Sequence, residues 1–214
     1  MIGNHIQEAL VQVRQLQQTV LERLRFKGYS GTTRSISGTM ALVAAFLMSL
    51  NIFPAKTEAH LVGWGCVFVV SLILNAGALL YWFWTDPIVS KNVNRLGPVL
   101  DVIPPLFVAA IMTVALILHG MHDYLFGVWM CMFGLTNLAS RHVLPRAICV
   151  IGLFYVACGA AWLLAPNAQF LNPWPMGMVF FAGEWAGGLI LHLDHRRLEF
   201  VEEKSRILEE ASHE

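Results

Sequence analysis

The sequence predicts an all-α integral membrane protein: six transmembrane helices in a bundle, with amphipathic cytoplasmic helices at the N- and C-termini. Three observations lead there. First, 57% of the 214 residues are hydrophobic and only 13% are charged, roughly half the charged share of a soluble domain. So few charges leave a water-facing surface uncovered, whereas lipid needs none. Second, Asp, Glu, Lys and Arg are missing altogether from 35–55, 61–85, 102–122, 124–140 and 147–183. Third, the basic residues fall almost entirely on one side of the spans that these gaps define.

A membrane-crossing helix needs about 20 mostly apolar residues, with a lower limit near 17. The first four gaps hold one span each. The fifth is long enough for two and is interrupted by APNAQFLNPWP, residues 165–175, whose asparagines and prolines predict a loop. The spans are therefore expected at about 36–54, 60–83, 98–119, 123–140, 144–164 and 174–193. Pro104-Pro105 removes two backbone donors and predicts a kink near the start of the third span. Spans four and five each carry glycines seven apart, Gly127 with Gly134 and Gly152 with Gly159, which permit close helix packing.

Six spans put both termini on one side. With the loops holding Lys91, Arg95, Arg141 and Arg146, that side collects 13 of the 14 Lys and Arg residues, and Lys56 alone lies opposite. Basic residues are retained in the cytoplasm during insertion, so both termini are expected there, in a bacterial-type inner or plasma membrane. No cleavable signal peptide is visible, since the leading segment lacks a continuous apolar core. Cys66, Cys131, Cys149 and Cys158 fall within spans, show no CxxC spacing and read as small core residues.

Three regions follow: a basic leading helix at 1–34, the transmembrane domain at 35–195, and an acidic trailing helix at 196–214. Apolar residues at 6, 10, 13, 16, 20 and 24 form one helical face in the first, and Leu198, Val201 and Leu208 form one in the last. These faces suit lipid surface contact, pairing with each other, or a partner. Membrane lipids and either a second copy or a partner membrane protein are the expected contacts. Nothing points to nucleic acid.

The candidate site is the carboxylate of Glu184, within FFAGEWAGGLILHLDH (180–195). It lies ten residues after Trp174, so about 15 Å deep at 1.5 Å per residue, close to the bilayer centre. An acid there costs about 2.5–3.5 kcal/mol on insertion scales and is expected to face inward and find hydrogen-bond partners. Gly183 and Gly187 form a small-xxx-small pair beside it, widened by Gly188. Among the few polar residues of comparable depth, Asn75, Thr113 and Asn137, Asn75 is the expected partner, because an amide both donates and accepts. Glu184 then reads as a binding or proton-titrating group. Asp101, just before the Pro-Pro step, is either a solvated first-turn acid or an inner vestibule residue in line with it.

The histidines give a further candidate. His119 and His122 sit in the turn between spans three and four, and His60 begins span two on the same side. Imidazoles with nearby Glu58 and Asp123 can bind zinc or another transition metal, and a haem between His60 and His119 is conceivable. The ordinary reading is that these side chains occupy the polar interface and that no cofactor is present. His192 and His195 mark the exit of span six.

The chain carries no ATP-binding loop, selectivity-filter string, protease triad or haem-attachment motif, and nothing argues for an enzyme. Three functions remain. One is a small transporter or channel-like carrier using Glu184 and Asn75. Another is a receptor or scaffold subunit that binds an apolar ligand or partner and signals through its tails. The last is a metal- or haem-binding redox protein.

Overall fold

The computed structural model describes residues 30–50, 52–85, 101–140 and 144–212, with side chains through Arg197 and at Phe200. Every regular element among the described residues is helical: α1 (Gly31–Ser49), α2 (Thr57–Thr85), α3 (Ile103–Leu118), a 3₁₀ turn (His122–Tyr124), α4 (Leu125–Ala139), α5 (Ile148–Leu164) and α6 (Trp174–Ser212). Each expected span has its helix, and several boundaries move. The leading amphipathic segment, 1–29, lies outside the described residues.

The first span was expected at 36–54 and lies at Gly31–Ser49. Ser30 is the reason: in extended conformation it accepts the Thr33 N–H on its side chain, an N-cap that starts the helix early. Leu50 then turns extended, ahead of Pro54. Arg34 consequently belongs to α1 and not to the leading tail.

The expected kink at Pro104-Pro105 is instead a helix start. The prolines occupy the first turn of α3, where backbone N–H groups have no intrahelical acceptor to lose. At the far end of α3, Gly120 adopts φ +70°. Met121 N–H reaches back to Leu116 O (2.8 Å) and Gly120 N–H to Ile117 O (3.1 Å), a Schellman closure that turns the chain sharply into α4. The sixth helix does not stop near 193. It continues for 39 residues as one rod, about 58 Å long, so the limit drawn between 195 and 196 falls inside it.

The helices pack in the spatial order α2–α1–α6–α5–α4–α3. Two glycine seams bring neighbours together. Gly127 faces Gly159 and Gly134 faces Gly152 across antiparallel α4 and α5. A Cβ on Gly134 would lie 2.6 Å from Gly152 O, and one on Gly159 would lie 2.7 Å from Gly127 O. The matched spacings of seven thus meet each other. Between α1 and α6, Gly31 abuts Gly188 and Gly177 abuts Ala45.

The main apolar core fills the end of the bundle that carries the α1–α2, α3–α4 and α5–α6 connections, the hairpin end. It joins Ala41, Ala45, Met48, Trp64, Leu125, Phe126, Met130, Phe170 and Met176. Phe126 contacts Trp64, Trp129, Trp162 and Phe170. Phe170 reaches this core from the 165–173 connection, held by Asp123, whose Oδ1 accepts Phe170 N–H at 2.8 Å. Trp162 Nε1–H donates to the backbone oxygen of the same Asp123 (2.9 Å).

The flanking helices are barely covered. α3 has no buried residue, and Phe107, Ile111 and Val114 all lie open. Among the described residues, two helices, Thr57–Thr85 and the Trp174–Arg197 part of α6, are long and apolar enough to cross a membrane. The apolar α3 and α5 are shorter, at 16 and 17 residues.

Candidate functional site: a buried arginine–glutamate joint

Glu184 lies in the middle of the apolar part of α6, and its partner is a charge. Arg34 of α1 grips the carboxylate with two donors: Nη2 to Oε1 at 2.6 Å and Nε to Oε2 at 3.1 Å. The two residues are only 5% and 4% exposed. This bidentate fork matches the planar geometry of both groups, and the fixed guanidinium plane suits a buried site better than a lysine would.

Two further helices close the cluster. Asn137 of α4 accepts from Arg34 Nη2 on Oδ1 (3.0 Å) and donates from Nδ2 to Phe133 O (2.9 Å). The Tyr155 hydroxyl of α5 points at Glu184 Oε1 (3.1 Å), with Phe180 O at 3.4 Å as its alternative acceptor. One charge pair therefore ties α1, α4, α5 and α6 together.

The small residues of FFAGEWAGGL make the room. A Cβ on Gly183 would strike the Tyr155 ring, and one on Gly187 would lie 2.9 Å from Arg34 Cζ. Gly38 lets α1 pass the Glu184 Cβ, which would be 2.8 Å from a Cβ there. Trp185 faces elsewhere and donates to Thr39 Oγ1 at 3.0 Å. Two charges removed from water cost on the order of several kcal/mol each. Only close geometry and extra hydrogen bonds recover that cost, and this cluster supplies both. Breaking such a pair by removing one partner leaves an uncompensated charge.

The expected pairing of Glu184 with Asn75 is not made. Asn75 Oδ1 accepts from Thr33 Oγ1 (3.2 Å), and its Nδ2 lies near Ser37 Oγ (3.2 Å) and Ser71 O (2.9 Å). It fastens α2 to α1 on the turns that flank Arg34. The amide is fully engaged there, while the stronger, charged donor takes the carboxylate. Asp101 is exposed in the turn before α3, outside this network. Thr113 receives the Trp129 indole N–H (2.9 Å), linking α3 to α4.

His60, His119 and His122 are not brought together as a metal set. Among the described residues no three His, Cys, Asp or Glu side chains gather as metal ligands. His60 is buried between Phe53 and Phe170. His119 is exposed, with Nδ1 against Ala115 O of its own helix (2.8 Å). His122 belongs to the 3₁₀ turn. A haem spanning His60 and His119 would need His60 to leave its aromatic surroundings.

Arg34 and Tyr155 are the side chains of this cluster that sequence reasoning passed over. Arg34 stands one residue before an uncharged gap and counts naturally with the basic tail. The signal was the Ser30 cap, with Gly31 and Gly38 seven apart around it.

The chain matches no protein-family model, and neither a curated protein nor a solved structure shows significant similarity to it.

Proposed function

We propose that this chain is a six-span membrane receptor or scaffold subunit with both termini in the cytoplasm, coupling its hairpin end to a partner through the α6 rod. The observation that carries this reading is the continuity of α6. The helix starts at Trp174, on the rim of the hairpin-end cavity, passes Glu184 and runs unbroken to Ser212. A rigid rod transmits rotation or tilt from one end to the other, and the Arg34–Glu184 joint near its apolar midpoint fixes its rotation against α1, α4 and α5.

The carrier reading requires Glu184 to meet a wet route. Its burial in a glycine seam, with each oxygen engaged, favours a joint over a pathway. The lipid setting is supported by the open apolar faces of α2 and α3, since exposed apolar patches of this extent mark an interaction surface. The shorter helices, 15 to 17 residues in α4, α3 and α5, span about 22–26 Å. Local bilayer thinning and flanking turns accommodate that mismatch at modest cost. The orientation follows from the one-sided Lys and Arg distribution.

The test compares the full chain with one ending at Arg197, both in proteoliposomes. The truncated chain should keep its unfolding midpoint and lose a partner that crosslinks to the full chain in native membranes. Neither should pass protons or potassium faster than protein-free vesicles. Flux that Glu184→Gln abolishes, or partner capture indifferent to the truncation, would establish the opposite.

A further inference from the structure

One side of α6 faces α1 along the bundle. A Cβ on Gly177 would meet Ala45, Gly38 lies against the Glu184 Cβ, and a Cβ on Gly31 would lie 2.5 Å from Gly188 O and 3.5 Å from His192 N. At 3.6 residues per turn, positions 195, 199, 202, 206 and 210 carry the same side onward as the helix continues to Ser212.

That continuation is acidic. All five acids of 198–212, Glu199, Glu202, Glu203, Glu209 and Glu210, occupy positions on the α1-facing half, with Arg206 as the one base of 198–212 beside them. Phe200, 72% exposed, belongs to the opposite half. Like charges three and four residues apart repel one another on a helix, so this side favours a cationic partner.

The leading segment is cationic and joins the bundle at this place. Residues 1–29 carry Arg14, Arg23, Arg25 and Lys27 against Glu8 and Glu22. Their junction, the extended Ser30, immediately precedes the glycine that touches Gly188 and His192. Three of the four bases fall within seven residues of Ser30, a reach of about 5–23 Å for helical to extended chain. Glu199 to Glu203 lie about 10–17 Å beyond His192 along the α6 axis. The reaches overlap.

We propose that the leading segment docks on the acidic side of α6 in its own chain, with Arg23, Arg25 and Lys27 against Glu199, Glu202 and Glu203. This contact needs only α1, α6 and their junction, so it goes beyond the receptor reading and stands or falls separately from it.

The test places a photoreactive group between the bases, as Phe26→p-benzoylphenylalanine, in the full chain in mixed phosphatidylcholine–phosphatidylglycerol nanodiscs. An equal share of a heavy-isotope copy without the photoreactive group is reconstituted with it, and mass spectrometry locates the crosslink. It should fall within 193–212 of the same chain. Attachment to lipid, to the heavy copy or to the spans alone overturns the proposal. Glu199→Lys, Glu202→Lys and Glu203→Lys together should lower the yield at least about threefold, the least effect of three exposed pairs. Adding Arg23→Glu, Arg25→Glu and Lys27→Glu to that chain should restore it, which a misfolded tail would not. A yield indifferent to the first set, or not restored by the second, also overturns it. No partner is present in the nanodisc, so failure here leaves the partner relay untouched.

Discussion

Replacing one member of the Arg34–Glu184 pair should destabilise the bundle far more than replacing both. In Arg34→Met, the carboxylate loses donors at 2.6 and 3.1 Å and keeps the Tyr155 hydroxyl as a donor. In Glu184→Leu, the guanidinium keeps Asn137 and loses the Glu184 carboxylate. Each single change leaves a charge buried to about nineteen parts in twenty. Removing one partner of such a buried pair costs about 3–5 kcal/mol, which is about a 200- to 5,000-fold shift in the unfolding equilibrium. The double variant removes both charges and fills the space with apolar side chains. Comparable replacements are neutral or about 1–4 kcal/mol stabilising. The assay is reversible denaturation in mixed micelles, followed by tryptophan fluorescence, with all four proteins in one double-mutant cycle. Single losses below about 1 kcal/mol, or a double variant whose loss is the sum of the singles, would falsify the joint.

Four other outcomes follow from the packing. Gly134→Ala places a Cβ 2.6 Å from Gly152 O and 2.9 Å from Val156 N. Because the obstacle is backbone, it should cost about 1–3 kcal/mol in the same denaturation assay. Gly65→Ala on α2, where a Cβ meets nothing within 4 Å, should instead gain about 0.5–1 kcal/mol from helix propensity. Tyr155→Phe removes a hydrogen bond to a charged oxygen and should lose about 1.5–3 kcal/mol, with little change in ring packing against Phe133 and Phe180. Phe170→Ala should lose about 3–5 kcal/mol by opening a hole in the hairpin-end core, and circular dichroism should show the helices retained.

Charge gaps locate the helices among the described residues because four of them have an uncharged run each and the Asn- and Pro-bearing 165–175 divides the fifth run between α5 and α6, and glycines seven apart in α4 and α5 foretell a seam that forms between those two helices. What the pattern does not give is the pairing of side chains across helices. Glu184 reads as a lone acid because its counter-charge lies 150 positions away, at the margin of the first apolar run. A hydropathy window assigns that margin to water. The Ser30 cap moves Arg34 inside instead. Asn75 fails as the partner for a related reason: depth alone places it near Glu184, while the rotation of α2 turns it toward Thr33 and Ser37. The prolines of α3 show the same ambiguity, since two residues that kink a helix interior also begin a helix well. His60 looks like an interface histidine by position, and the packing of Phe53 and Phe170 against it makes it a buried one.

The most direct measurement of the central claim is the span of α6 in a bilayer. Spin labels at the exposed positions Met178 and Phe200 stand 22 residues apart on nearly the same helical face. An unbroken rod separates their backbones by about 33 Å at 1.5 Å per residue, and electron–electron double resonance should give one narrow distance distribution near that value. A broad distribution, or a main distance below about 25 Å, would mean that the helix breaks where it leaves the apolar bundle and that no rigid element joins the cavity to the tail.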